Sequence, residues 1–250
     1  MKYIGIIPSR YDSSRFPGKP LADIHGKSMI RRVYEQAAQV LENVFVATDD
    51  QRIADEVNQF GGQFVFTSKK HNSGTDRLAE AIQAIQQNLN TNFDVVINIQ
   101  GDEPFIQPAQ IIELINCFRN SDTEIATLIK KITDNDEIFN PNKPKVIFDH
   151  AMHAIYFSRS PIPYIRNHEK SNWVKAFHFY RHIGMYGYRT DILQQITELE
   201  RSSLEIAESL EQNRWIEHGF KIKLAKTQYD SIGIDTPEDL QKILAQIKKG

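Results

Sequence analysis

The chain of 250 residues carries 30 lysine and arginine residues against 32 aspartate and glutamate residues, a net charge of −2. So close a balance argues against bulk nucleic-acid binding, and a single cysteine, Cys117, excludes an intramolecular disulfide and a cysteine-cluster metal site. The length suits one large α/β domain or two small ones. With no apolar run of about 18 residues and no signal-peptide pattern, the natural expectation is a cytoplasmic protein.

The first element is the apolar run Ile4-Gly5-Ile6-Ile7, short enough for a buried strand, which Pro8 is expected to end. A polar loop follows with Arg10, Arg15 and Lys19, and Pro17-Gly18 sets a turn before Lys19. Residues 27–40 read as a helix with Met29, Ile30, Val33, Ala37 and Val40 on one face. Strand, cationic loop and helix in that order form a phosphate-binding rim at the carboxyl end of a first strand; a solvated surface loop is the plain alternative. Two common phosphate loops are excluded. His25-Gly26-Lys27-Ser28 imitates the end of a P-loop, but Leu21 stands where that motif needs glycine, and Gly5 is alone in its strand.

Strand 43–48, helix 51–60 and strand 63–67 continue the alternation, which implies parallel pairing. Ser73 and Thr75 are competent N-caps for a helix over 78–89, and Gly74 permits close approach to a ligand. The nearly continuous apolar run 94–99 reads as a central strand delivering Gln100-Gly101-Asp102-Glu103-Pro104 at its carboxyl end. A helix over 108–118 follows, with Cys117 between Ile115 and Phe118 as a buried structural thiol, and then a strand over 124–129. Beyond 130 the pattern changes. Turn chemistry at 140–144 leads into extended segments at 145–148, 153–157 and 179–188, with a break at Ser160-Pro161-Ile162-Pro163 and a polar loop at 167–172. Residues 202–217 read as one helix and 220–225 as a half-exposed strand. Ile232-Gly233-Ile234 is an apolar strand before Asp235, and a helix opens with Thr236 as N-cap and Pro237 at its first position. No linker divides the chain, so one α/β domain is expected, with a largely parallel sheet, helices on both faces, and 140–172 as an elaboration.

Cations at the first strand's end, Asp102 at a central strand's end and Asp235 near the C-terminus make a hard-oxygen set of the kind Mg²⁺ takes together with substrate phosphates. Either aspartate alone is equally well read as a turn or cap residue. The blocks IPSRYDSSRFPGKPL, ATDD, NSGTDRLAE, INIQGDEP, YFSRSPIPY, RHIGMYGY, LEQNRW and GIDTPEDL occur in this order across the whole chain. Together they resemble the 3-deoxy-manno-octulosonate cytidylyltransferases, the CMP-Kdo synthetase family. The departures are small: Ser9 stands where that family usually has alanine, and Ser28 where proline is common.

The resemblance implies a single-domain Rossmann-like nucleotide-diphospho-sugar transferase fold over 1–250, with 140–190 as a sugar-acid-binding and dimer-contact elaboration. It implies the reaction CTP + Kdo → CMP-Kdo + pyrophosphate with Mg²⁺, in lipopolysaccharide biosynthesis, by a cytoplasmic homodimer that takes no nucleic acid and does not insert into a membrane. Arg10, Arg15, Lys19, Asp102 and Asp235 are the implied catalytic residues, the two aspartates as metal ligands. Ser9, Arg10, Arg15, Lys19, Ser73, Gly74, Thr75 and Arg77 are implied for CTP, and Gln100, Arg159, His182, Tyr186, Glu211 and Gln212 for Kdo. Taken singly, His182 is also a core histidine, Tyr186 and Tyr188 strand aromatics sharing a face, and Glu211-Gln212 an exposed helix turn. His178 and His182, four apart, lack the further ligands a metal site needs. The alternatives are a cytidylyltransferase for 8-amino-Kdo, sialic acid or another sugar precursor, and a nucleotide-binding regulator of the same fold without turnover.

Overall fold

Strand β1 (Tyr3–Ser9) begins the alternation in a computed structural model that describes residues 1–13, 15–71 and 73–247. Ser14 and Asn72, which belong to two of the sequence blocks, lie outside the described residues. Contacts divide the chain into two compact units, Met1–Ile111 with Ser231–Gly250, and Ile112–Asp230.

In the first unit β1 is followed by a small hairpin, β2 (Asp23–Ile24) and β3 (Lys27–Ser28), too short to announce itself in the sequence. Helix α1 (Met29–Ala38) starts where the Ser28 hydroxyl accepts the Arg31 N–H. Then come β4 (Val44–Thr48), α2 (Gln51–Gln59), β5 (Gln63–Phe66), α3 (Gly74–Leu89) and β6 (Val95–Asn98). Strands β6, β1, β4 and β5 pair side by side in that order, all parallel, as the alternation predicts. Helix α3 begins four residues earlier than expected because Ser73 and Asp76 form a reciprocal capping box.

The strand β1 runs through Pro8 rather than ending there. The carbonyl of Ile6 accepts the N–H of Ile99 at 3.0 Å, so even-numbered residues of β1 turn their backbone toward β6. The pairing with β6 stops at Ile6 opposite Asn98, while that with β4 continues to Ser9 opposite Thr48. Proline's missing donor therefore falls on a side where no ladder bond is needed.

Helix α4 (Pro108–Cys117) carries the chain into the second unit. That unit holds β7 (Ile125–Lys131), α5 (Asn135–Phe139), β8 (Lys145–Phe148), β9 (Ala154–Ser158), α6 (Trp173–Ala176), β10 (Tyr180–Arg189), α7 (Thr190–Thr197), α8 (Ser203–Glu208), α9 (Gln212–Glu217) and β11 (Ile222–Thr227). Here β11 lies parallel to β7, whereas β10 is antiparallel to β7, and β8 and β9 form an antiparallel ribbon. Cys117 is only partly covered, yet burial pushes its thiol up to about 11, in keeping with an inert structural thiol.

Two further expectations fail. The single helix over 202–217 is two, because Ser209 takes a left-handed conformation (φ 51°) that ends α8 and lets Leu210 turn inward to be buried. Residues 231–235 are irregular, not a strand. Ile234 is nevertheless fully buried with Ile24, Met29 and Leu240, and its N–H donates to the Asp102 carbonyl at 2.9 Å. The last helix, α10 (Pro237–Ile247), opens with the Thr236 hydroxyl accepting the Asp239 N–H. Among the described residues, no helix is long and apolar enough to cross a membrane.

Candidate active site

A cavity of about 370 Å³ opens in the first unit, walled by Pro8 and Ser9 from β1, by Gln100, Gly101 and Asp102 after β6, and by Gly74 and Arg77 from α3. The loop after β1 adds Arg10, Asp12, Ser13, Arg15, Lys19 and Pro20. Adjacent parallel strands thus present their carboxyl ends to one cavity, as open α/β sheets do at ligand sites. Gly101 is small for a reason: a Cβ there would stand 2.9 Å from Ser9 Oγ and 3.1 Å from the Pro8 carbonyl.

Lys19 organises the polar side. Its ammonium donates to Asp102 Oδ2 at 2.8 Å and to Asp235 Oδ1 at 3.4 Å, and Arg15 donates to the same Asp235 oxygen at 3.2 Å. The two aspartates are 133 positions apart in sequence and meet through one cation. Backbone irregularity at 231–235 does not prevent this, because the Ile234–Asp102 hydrogen bond fixes the segment beside β6. Lys19 thus places one positive charge against both carboxylates. A pair of carboxylates fits Mg²⁺, which takes one or two of them and completes its shell with phosphate oxygens and water. Among the described residues, no group of three or more His, Cys, Asp or Glu gathers into a site formed by protein alone.

Arg10 turns away from the carboxylates. It donates to the carbonyls of His71 at 2.5 Å and Ser73 at 3.4 Å, and burial, followed by the neighbouring Arg77 charge, lowers its pKa. Arg77 is fully buried, donating to Asp49 Oδ2 at 2.7 Å and to Thr67 Oγ1 at 2.5 Å. Its Nε and the Ser9 hydroxyl are buried without a partner among the described residues, in keeping with a site awaiting polar contacts. Thr75 is buried in the first turn of α3 and is not part of the cavity wall, unlike Gly74. Gln100 Nε2 donates to Asn98 Oδ1 at 3.4 Å.

Of the residues expected for the sugar acid, Gln100 lies in the first unit and the other five in the second. A register shift in β10 between Ile183 and Tyr186 aims an aromatic row: His182 and Tyr186 rings lie 5.2 Å apart, and Tyr186 stacks on Tyr188 at 5.7 Å. Trp215 of α9 meets both tyrosines edge-on, and Gln212 is buried on the same helix. Thr127 Oγ1 gives its proton to the Met185 carbonyl at 2.8 Å, which leaves His182 Nε2 to donate to it across 3.0 Å. Burial, and then the Arg181 charge, hold His182 down at about 3, so it is neutral. Arg159 is committed to backbone: its guanidinium donates to the carbonyls of Glu208 at 2.6 Å, Pro141 at 3.0 Å and Ser209 at 3.2 Å, closing the C-terminus of α8.

Sequence reasoning passed over Asp49, the buried partner of Arg77, though ATDD was among the blocks. It also passed over Glu208, whose carboxylate accepts from Tyr156, Ser158 and the Arg159 N–H.

Residues 4–223 match the cytidylyltransferase family. The chain is 55% identical over 249 residues to the 3-deoxy-manno-octulosonate cytidylyltransferase of Parabacteroides distasonis, covering 98% of each chain. It is 50% identical over 246 residues to the protein so named from Thermodesulfovibrio yellowstonii, covering 96% of each. A solved CMP:2-keto-3-deoxy-manno-octonic acid synthetase complexed with CTP is 41% identical, with a TM-score of 0.89 over 100% of this chain and 99% of that one.

Proposed function

The chain belongs to the cytidylyltransferase family, among the 3-deoxy-manno-octulosonate cytidylyltransferases, and on that premise we propose that it transfers CMP from CTP to Kdo, releasing pyrophosphate, to supply lipopolysaccharide synthesis. The observation that carries this reading is Lys19 held between Asp102 and Asp235 at 2.8 and 3.4 Å, on the wall of a cavity that also presents Arg10, Arg15 and Arg77.

The anomeric hydroxyl of Kdo attacks the α-phosphorus of CTP and pyrophosphate leaves on the far side. Catalysis of this type is mostly positioning and charge neutralisation. Lys19 and Arg15 place positive charge where the departing pyrophosphate gains negative charge. Ser9, Gly74 and Gly101 make a neutral wall of small residues that suits the nucleoside end. Asp102 and Asp235 are the residues that would hold Mg²⁺, which when bound neutralises phosphate charge and gives nucleophile and α-phosphate a common template. In the second unit, neutral His182 and buried Gln212 and Tyr186 suit the hydroxyls of a sugar acid. Family resemblance supports a cytoplasmic homodimer, with 140–190 contributing to the dimer contact.

Pyrophosphate release with CTP, Mg²⁺ and a panel of Kdo, 8-amino-Kdo and sialic acid tests the reading. Kdo is expected to give the highest kcat/KM. A clear preference for the amino sugar would overturn the substrate and keep the reaction class; no release with any sugar acid would overturn both.

A further inference from the structure

The loop between β1 and the Lys19 turn carries Arg15 and leads directly into Lys19, and its described residues form no helix or strand. Its two ends are closed on one residue. The Tyr11 carbonyl accepts the Gly18 N–H at 2.8 Å and the Ser13 N–H at 3.0 Å. The Tyr11 ring lies against the same glycine: a Cβ on Gly18, which sits at φ +71°, would stand 3.2 Å from the ring and its hydroxyl. On the ring rests the guanidinium of Arg52, with its central carbon 3.2 Å from the ring centroid. Arg52 is in turn fixed by Asp50, donating from Nε at 2.9 Å and from its terminal nitrogen at 2.7 Å, while Asp50 caps α2. A planar guanidinium held by a carboxylate fork has its flat face free for an aromatic ring.

We propose that Tyr11 and Arg52 are positioning residues for the cationic loop: the rigid start of α2, through Asp50 and Arg52, clamps the Tyr11 ring and so sets where Arg15 and Lys19 stand. Neither side chain is among the cavity-lining residues, so both act on the nucleotide through the loop. The inference rests on the nucleotide reading above, since it assigns the clamp to triphosphate binding. The ring is the part that matters most, because it carries the cation and, even without the hydroxyl, still meets the glycine.

Three variants test this in the full-length protein, with steady-state kinetics in CTP and in Kdo measured separately. Arg52→Ala is expected to raise the KM for CTP roughly two- to five-fold, the effect of losing an exposed cation–π contact, while the KM for Kdo stays put. Tyr11→Leu, which loses the stack and the glycine contact together, is expected to raise it on the order of tenfold, because misplaced binding groups are costly. Tyr11→Phe keeps the ring and is expected to restore the wild-type value. Unchanged CTP kinetics in both Arg52→Ala and Tyr11→Leu would overturn the proposal, as would Tyr11→Phe behaving like Tyr11→Leu. Equal rises in both Michaelis constants would also overturn it, by showing a general loss of structure. Failure of the wild-type protein to release pyrophosphate from CTP would instead overturn the nucleotide reading, with inorganic triphosphate binding to the same variants then deciding the clamp by itself.

Discussion

Lys19, Asp102 and Asp235 in the first unit keep 15%, 32% and 46% of their side chains exposed. In the second unit, Arg214 and Glu205 form a two-pronged pair at 2.7 Å through each contact, with only 11% and 7% exposed. The difference separates two uses of charge. The cavity pairs remain wet enough to exchange partners, as the proposed binding of a triphosphate there requires, and a surface-like pair contributes little to stability. The buried pair has no such freedom: desolvation makes it weak evidence for added stability, yet removing one partner strands the other. Burial acts alone on Glu205 to raise its pKa, and the Arg214 hydrogen bonds and charge reverse that, leaving it lowered.

The sharpest way to break this contrast is therefore Glu205→Ala, which removes the two-pronged carboxylate of Arg214 and leaves Glu211, at 3.9 Å, as a distant substitute. A loss of about 3–5 kcal/mol is expected in denaturant unfolding. Next in size is the response of the cavity. Asp102→Asn and Asp235→Asn should each lower kcat on the order of 10²–10³-fold, the range seen when a preorganised charge-stabilising group is removed. Their melting temperatures should stay near the wild-type value, because both carboxylates are partly exposed. Near-normal pyrophosphate release from either variant would show that the pair does not act together.

A pH titration of stability sharpens the comparison further. His182 has its pKa depressed in the folded protein to about 3, against about 6.5 when unfolded. Its contribution is present above pH 6.5 and is lost progressively as pH falls from there toward 3, because the unfolded chain takes up the proton first. His182→Gln, which cannot charge, should flatten the stability curve in that window while leaving the neutral-pH value little changed. Glu205 loses its contribution in a more acidic window, below about 4.5. The smallest expected effect concerns the unpartnered hydroxyl at the cavity wall. Ser9→Ala removes a buried polar atom that has no partner among the described residues and should raise ligand-free stability by up to about 1 kcal/mol in thermal unfolding.

In its first 130 residues the chain was legible. Strands with both faces buried read as continuous apolar runs, and the starts of α1, α2 and α3 carried their caps: Ser28, Asp50 and Ser73 all accept a backbone N–H. Beyond that point the reading lost resolution. Helices α5, α6 and α7 are four to eight residues long, too short for a 3.6-residue period to repeat convincingly. The break at Ser209 was hidden because serine is neutral toward helix at the level of propensity. What decides it is the Arg159 guanidinium arriving from another segment to take the freed carbonyls.

The sequence by itself determined which side chains could do chemistry: the cations of the first loop, the aspartates after β6 and before α10, and the polar and aromatic blocks of the second half. These follow from residue type and local pattern, which act over a turn of helix or a few residues of strand. Only the tertiary structure decided how they are used. It placed Lys19 between two aspartates 133 positions apart, turned Arg10 and Arg159 onto backbone carbonyls, and held His182 neutral. Of these, the Asp235 segment is fixed beside β6 by a hydrogen bond from Ile234 to the Asp102 carbonyl, where the sequence pattern suggested a strand. The physical reason is that pairing, burial and charge state depend on neighbours brought together across long loops, and no local pattern in a chain specifies which distant group will be the neighbour.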